Sequence, residues 1–230
     1  MDLVDISRGG LVDYVAAQIN HFFPDHVGDT RALVESAIDD TLDRLDLPVR
    51  LNRVWPPGGF RYLHSNEYAT FLYLLSNTLW RRGASENICS KVFCLNKALN
   101  ALECFYTIEL PEIFCIGHST GIVLARASYG NYLVLHQNST VGRADPESRP
   151  VLSEGVVMFP NTAIIGDSHI GPRTILAQGN SIIDGDTPGD CVVFSREGQL
   201  VFKAPKTDYL LRFFRLEDAR APALTKVSTD

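Results

Sequence analysis

Residues 152–182 read LSEGVVMFPNTAIIGDSHIGPRTILAQGNSI. Leu152, Met158, Ile164, Ile170, Leu176 and Ile182 fall at an unbroken spacing of six. Upstream, Leu110, Ile116 and Ile122 keep the same interval. Small or turn-forming residues follow many of these positions: Gly117, Gly142, Gly166, Gly171, Gly179 and Gly185. A strand alternates with a period of two and a helix with 3.6, so a period of six fits neither long element alone. It fits a coil of short flat strands. Each unit of six points one aliphatic side chain inward and then turns a corner where Gly or Asn tolerates the backbone. One coil cannot bury its own apolar face, whereas stacked coils make a continuous column. A β-sandwich with evenly spaced turns is the competing reading.

The count slips once between Ile122 and Val141. It is interrupted again at Arg143–Pro150, a polar and turn-rich RADPESRP segment. That segment is expected to leave the coil as an exposed loop, a favoured location for function on a rigid scaffold.

Before residue 107 the period is helical. Leu11, Val15, Ile19 and Phe22 form one stripe, ending before Pro24. A second helix is expected from Thr30 to Leu45, with Glu35, Asp39, Asp40 and Asp43 on its outer side as a solvated face. Trp55–Gly59 is a loop. A third helix, capped by Ser65 or Asn66, ends at Gly83, and a fourth is expected from Glu86 to Phe105.

The chain has 230 residues, 45% of them hydrophobic, enough for a sizeable core. A formal net charge of −6 argues against a general nucleic-acid binder or a polybasic membrane-surface protein. The five Cys form no CxxC pair and no Cys/His cluster with zinc spacing, so buried free thiols are expected and no metal site is. The N-terminal MDLVD lacks the basic and apolar regions of a signal peptide, and no apolar run reaches the roughly 20 residues of a membrane span. A cytoplasmic protein is the expectation.

Gly117-His118-Ser119-Thr120-Gly121-Ile122-Val123 resembles the Asp-His-Ala-Thr-Gly-Ile-Val stretch of the left-handed parallel β-helix acyltransferases, closest to the serine acetyltransferase branch. Gln137–Gly142 resembles that branch's Gln-Ser-Val-Thr-Leu-Gly, and Pro150–Asp167 follows its Pro-Lys-Ile-Arg-Glu-Gly-Val-Met-Ile segment without a gap. The resemblance is strong over about residues 108–190. Upstream it concerns only architecture, helices before the coil. It implies an α+β chain: an α-helical N-terminal domain at 1–107, a left-handed parallel β-helix of hexapeptide repeats at 108–206 with a loop near 143–150, and a tail at 207–230.

The resemblance also implies a coenzyme A-dependent acyltransferase, most simply an acetyltransferase using acetyl-CoA. The acceptor would be a hydroxyl or amine on a small molecule, and the assembly a homotrimer or a dimer of trimers. The family's catalytic His falls on His118. An imidazole with a reference pKa of about 6.5 can take the proton of an attacking hydroxyl or amine near neutral pH. An acidic residue orients this His in the family, and Glu109 is the expected equivalent, with Glu112 as competitor. Three positions depart from the pattern. The Asp before the first His is Gly117, the second active-site His is Arg149, and the Arg before that His is Ser148. These residues grip serine in the family, so a sugar or nucleotide-sugar is the preferred acceptor. Arg149 remains able to hold a carboxylate or phosphate, or to be a solvated loop charge. His136 lies eighteen residues beyond His118, about one coil, and is either a substrate contact or a structural His. The pantetheine groove is expected along Pro160, Asn161, Ala163, Ala177 and Gln178. An atypical serine O-acetyltransferase and an inactive scaffold are the alternatives.

Overall fold

The computed structural model describes residues 1–217. Four helices come first: α1 (Arg8–Phe22), α2 (Thr30–Leu51), α3 (Ser65–Arg81) and α4 (Glu86–Asn100). Two short strands, β1 (Leu3–Val4) and β2 (Phe60–Arg61), pair in parallel beside them. Ser7 and Asp29 cap α1 and α2 by accepting the N–H groups of Gly10 and Ala32. The cap of α3 is His64, whose Nδ1 accepts the Glu67 N–H at 3.4 Å, rather than Ser65 or Asn66. The second helix runs past Leu45 to Leu51 through Pro48, and the Asn52 side chain bonds back to the Pro48 carbonyl. The acidic face of α2 is not merely solvated: Glu35 and Asp39 pair with Arg8, Glu35 also with Arg31, and Asp40 with Arg82.

From Leu102 the chain winds into a three-sided parallel β-helix. Its first face stacks β4 (Phe114–Ile116), β7 (Leu133–Leu135), β10 (Val157–Met158), β13 (Ile175–Leu176) and β16 (Val192–Arg196). The second face stacks β3 (Leu102–Cys104), β5 (Ile122–Leu124), β8 (Thr140–Gly142), β11 (Ala163–Ile165) and β14 (Ser181–Ile183). The third stacks β6 (Ser128–Tyr129), β9 (Val151–Leu152), β12 (His169–Ile170) and β15 (Asp186–Thr187). A hairpin strand, β17 (Gln199–Lys203), closes the first face antiparallel to β16. The period-six residues are the inward column: Leu152, Met158, Ile164, Ile170, Leu176 and Ile182 are all 0–1% exposed.

Two expectations need correction. The fourth helix stops at Asn100, with Ala101 in the left-handed region, and Leu102–Cys104 is a strand paired with β5. Coil-type pairing thus starts upstream of residue 108. Leu102 satisfies a helical stripe and an inward strand position equally well, and the pairing with β5 decides between them. The column also shifts on the second face. Leu124, not Ile122, stands opposite Val141, which in turn stands opposite Ile164. The first corner of this coil, 117–121, is therefore two residues wider than a regular hexad, and it carries His118. Of the cysteines, Cys94 is exposed, while the other four are buried; all five are free.

The outer side of the first face is covered. Cys115, Val134, Val157 and Ile175 pack under Leu210 and Phe213 of a short helix, α5 (Leu210–Phe213), together with Phe214 and Leu51. Residues 218–230 of the expected tail lie outside the described residues.

Close stacking of coils sets a stability test. A Cβ on Gly171 would lie 2.5 Å from the Gly189 nitrogen and 2.6 Å from the Thr187 oxygen, both backbone atoms of the next coil. Gly171→Ala is expected to destabilise the chain by about 1–3 kcal/mol in urea unfolding. Gly9→Ala, where nothing lies within 4 Å, should not.

Candidate active site

The first corner, between the first and second faces, repeats four times with one residue per coil in the left-handed region: Gly121 (φ 76), Asn138 (φ 57), Asn161 (φ 60) and Gly179 (φ 75). Asn138 donates from Nδ2 to Asn161 Oδ1 at 2.9 Å, forming a side-chain ladder along this edge. A side chain at Gly121 would have to adopt a positive φ and displace the Asn138 amide, whose Oδ1 would lie 2.1 Å from its Cβ. Its N–H is committed to the Ala101 carbonyl.

The helical region pins the lowest coil at this corner. Asn52 donates to the Phe114 carbonyl at 3.0 Å, Trp55 Nε1 to that of Ile116 at 3.3 Å, and Asn66 to that of Gly117 at 2.6 Å. His118 follows directly and is exposed at the corner's tip.

His136 stands one coil on, where the Gly117 N–H meets the Leu135 carbonyl at 2.8 Å. Its ring is held from three sides. Nδ1 lies 3.0 Å from the Met158 carbonyl, which can only accept, so Nδ1 carries the proton and Nε2 the lone pair in the neutral ring. Phe159 stacks on it at 5.2 Å between centroids, and Phe213 meets it edge-on at 5.5 Å. A Cβ on Gly117 would be 2.9 Å from its Cδ2 and 3.2 Å from Nε2. Burial pulls the His136 pKa down, the Met158 carbonyl opposes, and the nearby His118 charge lowers it further. The ring is thereby held neutral at neutral pH.

Pro160, Asn161 and Gln178 lie on the same edge in the following coils. Ala163 opens β11 just past that corner, and Ala177 follows β13 where the corner begins. The edge therefore brings together His118, His136 and the five expected groove residues.

Glu109 and Arg149 stand elsewhere. Glu109 is at the third corner, where it accepts from Asn77 at 3.3 Å and lines a cleft of about 770 Å³ with Arg44, Arg81 and Glu112. Its competitor Glu112 shares that cleft. Arg149 sits in the second-corner loop and donates to the carbonyls of Pro146 and Ser148 at 2.6 and 2.8 Å. The loop is tied internally, with Ser148 Oγ accepting the Ala144 N–H at 3.0 Å.

The carboxylate in the strand beneath the His118 coil is Glu103. It stands opposite Val123 on the second face and pairs with Lys97 at 2.6 Å. Reading residues 101–105 as helix concealed it. Asn66 and Trp55, which hold the corner, carry no sequence signal of that role. Among the described residues no group of three or more His, Cys, Asp or Glu could hold a metal ion, and no helix is long and apolar enough to cross a membrane.

The architecture matches solved serine acetyltransferases. That of Vibrio cholerae O1 aligns with a TM-score of 0.67 at 18% identity, over 86% of this chain and 80% of that one. That of Brucella abortus strain S19 gives 0.66 at 15% identity, over 87% and 85%. A serine acetyltransferase in complex with CoA gives 0.67 at 17% identity, over 85% of each chain. At such identities the likeness establishes the fold, a helical region followed by a hexapeptide β-helix. No protein-family model and no curated protein matches the chain.

A pH test follows from His136. Its folded pKa lies below the ordinary value of about 6.5, so the unfolded chain binds more protons once the pH drops below that value. Its contribution to stability therefore falls as pH is lowered through this window and levels off below the folded pKa. His64, also lowered by burial, acts in the same sense. Urea midpoints measured from pH 7.5 to 5 should show a shallower acid-side decline in His136→Gln than in the parent chain.

Proposed function

We propose that the chain is a coenzyme A-dependent acyltransferase, most simply an acetyltransferase, acting on a hydroxyl or amine of a small polar acceptor. The observation that carries this reading is an exposed imidazole, His118, at one end of a β-helix edge that continues into Pro160, Asn161 and Gln178. His118 takes the proton from the acceptor O–H or N–H as its lone pair attacks the thioester carbonyl. The tetrahedral intermediate then collapses, the C–S bond breaks, and the imidazolium returns the proton to the departing thiolate. Direct transfer of this kind needs no acyl-enzyme. An acceptor bound as an ammonium must lose one proton before it attacks.

Acetyl-CoA is the expected donor. The small side chains of Ala163 and Ala177 flank the edge, and the Asn138–Asn161 ladder offers amide groups beside it for the pantetheine. Pro160 and Gln178 are bulkier than Ala and narrow the path. Glu103 lies in the strand beneath the His118 coil, opposite Val123 and paired with Lys97, whereas Glu109 lies at another corner; an orienting role for Glu103 would require it to leave Lys97.

The acceptor we favour is a sugar or nucleotide-sugar rather than free serine. The Asp that precedes the catalytic His in serine acetyltransferases has no room here, because His136 fills the space beside Gly117. Arg149 is bound to its own loop and joins the acceptor only if that loop opens or a neighbouring subunit presents it. An atypical serine O-acetyltransferase is the variant of this reading. A non-catalytic scaffold is the second reading, favoured by the absence of Glu109 and Arg149 from the His118 corner within one chain.

A homotrimer, or a dimer of trimers, would use the second face. Its outer side exposes aliphatic side chains, Val123 at 38% and Ile183 at 63%, whereas α5 covers the first face. Sedimentation should show a trimer or hexamer, and Ile183→Glu should shift it toward smaller species. A stable monomer would remove the shared-site version of this proposal.

Thiol release from acetyl-CoA over a panel of serine, amino sugars and nucleotide-sugars tests the activity. His118→Ala should lower turnover about 10²–10⁴-fold with unchanged circular dichroism. No turnover with any acceptor, together with no binding of coenzyme A, supports the scaffold.

A further inference from the structure

We propose that His136 is the second acceptor-binding group of the site. Its Nε2 receives a hydrogen bond from a donor adjacent to the group acylated at His118, so the acceptor is a vicinal diol or a vicinal amino alcohol. This rests on the acyl-transfer reading above and specifies its substrate class.

The geometry supplies the argument. The Met158 carbonyl fixes the tautomer, so the lone pair of the neutral ring is on Nε2. The ring's hydrogen bond is made at Nδ1, and Nε2 is turned to Gly117, the residue immediately before His118. Phe159 stacks on one face of the ring and Phe213, itself packed on Phe159, meets it edge-on, so the ring's rotation is restricted. An imidazole serving only to fill space has no need of an open nitrogen next to an exposed His.

The same corner excludes the alternative of a carboxylate-bearing acceptor at this position. A neutral Nε2 is an acceptor only, so it repels a carboxylate oxygen and welcomes O–H or N–H. Any side chain at 117 would press on the ring, since even a Cβ lies 2.9 Å from Cδ2. Gly117 and His136 are therefore one device: the missing side chain makes room for the imidazole, and the imidazole takes over the binding of the acceptor's neighbouring group.

Two measurements test this. The first needs no acceptor. Diethyl pyrocarbonate reacts with the free nitrogen of a neutral imidazole, and peptide mass mapping at pH 7 should find His136 as well as His118 carbethoxylated in the native chain. An unreactive His136 overturns the proposal whether or not acyl transfer occurs. The second uses the acylated member of the panel and its analogue with hydrogen in place of the neighbouring hydroxyl. His136→Phe should raise KM for the intact acceptor about tenfold, the worth of one good hydrogen bond, with little change in kcat. KM for the deoxy analogue should not move, and His136→Gln, which retains an acceptor oxygen, should recover part of the loss. Equal KM values for parent and His136→Phe with the intact acceptor overturn the inference while leaving the acyl-transfer reading standing. Absence of thiol release with every acceptor, together with no binding of coenzyme A, overturns that reading instead, and the carbethoxylation result still decides whether His136 is open.

Discussion

Each coil of the β-helix hands its backbone N–H groups to the carbonyls of a neighbouring coil, and this ladder fixes where every corner side chain stands. Gly117 donates to Leu135, His136 to Met158, and Phe159 to Leu176. Coils joined this way lie about 4.8 Å apart, too close for a side chain to shift without moving the backbone. The inward aliphatic column makes the register unique, because a one-residue slip would turn Leu135, Met158 and Leu176 outward. Position at the His118 corner is thus inherited from core packing two residues away. An insertion is tolerated only where the corner can bulge, and the widened 117–121 corner is where the candidate base is presented.

The helical region contributes more than a second core. Asn52, Trp55 and Asn66 each spend a side-chain donor on a carbonyl of the lowest β-helix coil, and Asn52 is fully buried. Losing such a donor leaves a buried carbonyl without a partner, which costs more than the bond is worth in isolation. The C-terminal segment closes the arrangement from the other side. Phe214 bridges to Asn52, and Arg215 donates to the carbonyls of Arg50, Asn52 and Trp55. Phe213 from the same segment rests on His136. Helices, β-helix and C-terminal segment therefore meet at one end of the His118 edge.

The column from Leu152 to Ile182 is legible because six successive matches at a period of six carry their own register. The first coil is not. Its hexads are broken by the wide corner, so Ile122 is inward but pairs with Leu102, and Leu124 is the residue in register with Val141. Leu102 fits both a helical stripe and a strand, and only the partner strand β5 separates the two. That ambiguity takes Glu103 out of view and leaves Glu109 and Glu112 as the candidates, although the prism puts both at another corner. Linear distance along the chain says little about distance around a three-sided coil, where residues one full turn apart are neighbours and residues half a turn apart are not.

His136 shows the same geometry from its favourable side. Eighteen residues separate it from His118, and the coil folds that separation into adjacency. Its orientation was not readable from spacing, because the widened corner shifts one coil against the next. The Met158 carbonyl and the two phenylalanines settle the ring's tautomer and plane, and none of them is near it in sequence. Gly117, by contrast, was visible from the start as a departure at a position where an acidic residue was expected. Read alone it signified a lost contact. Placed against His136 it becomes the condition for a different one, because a backbone without a Cβ is the surface on which a second imidazole can lie.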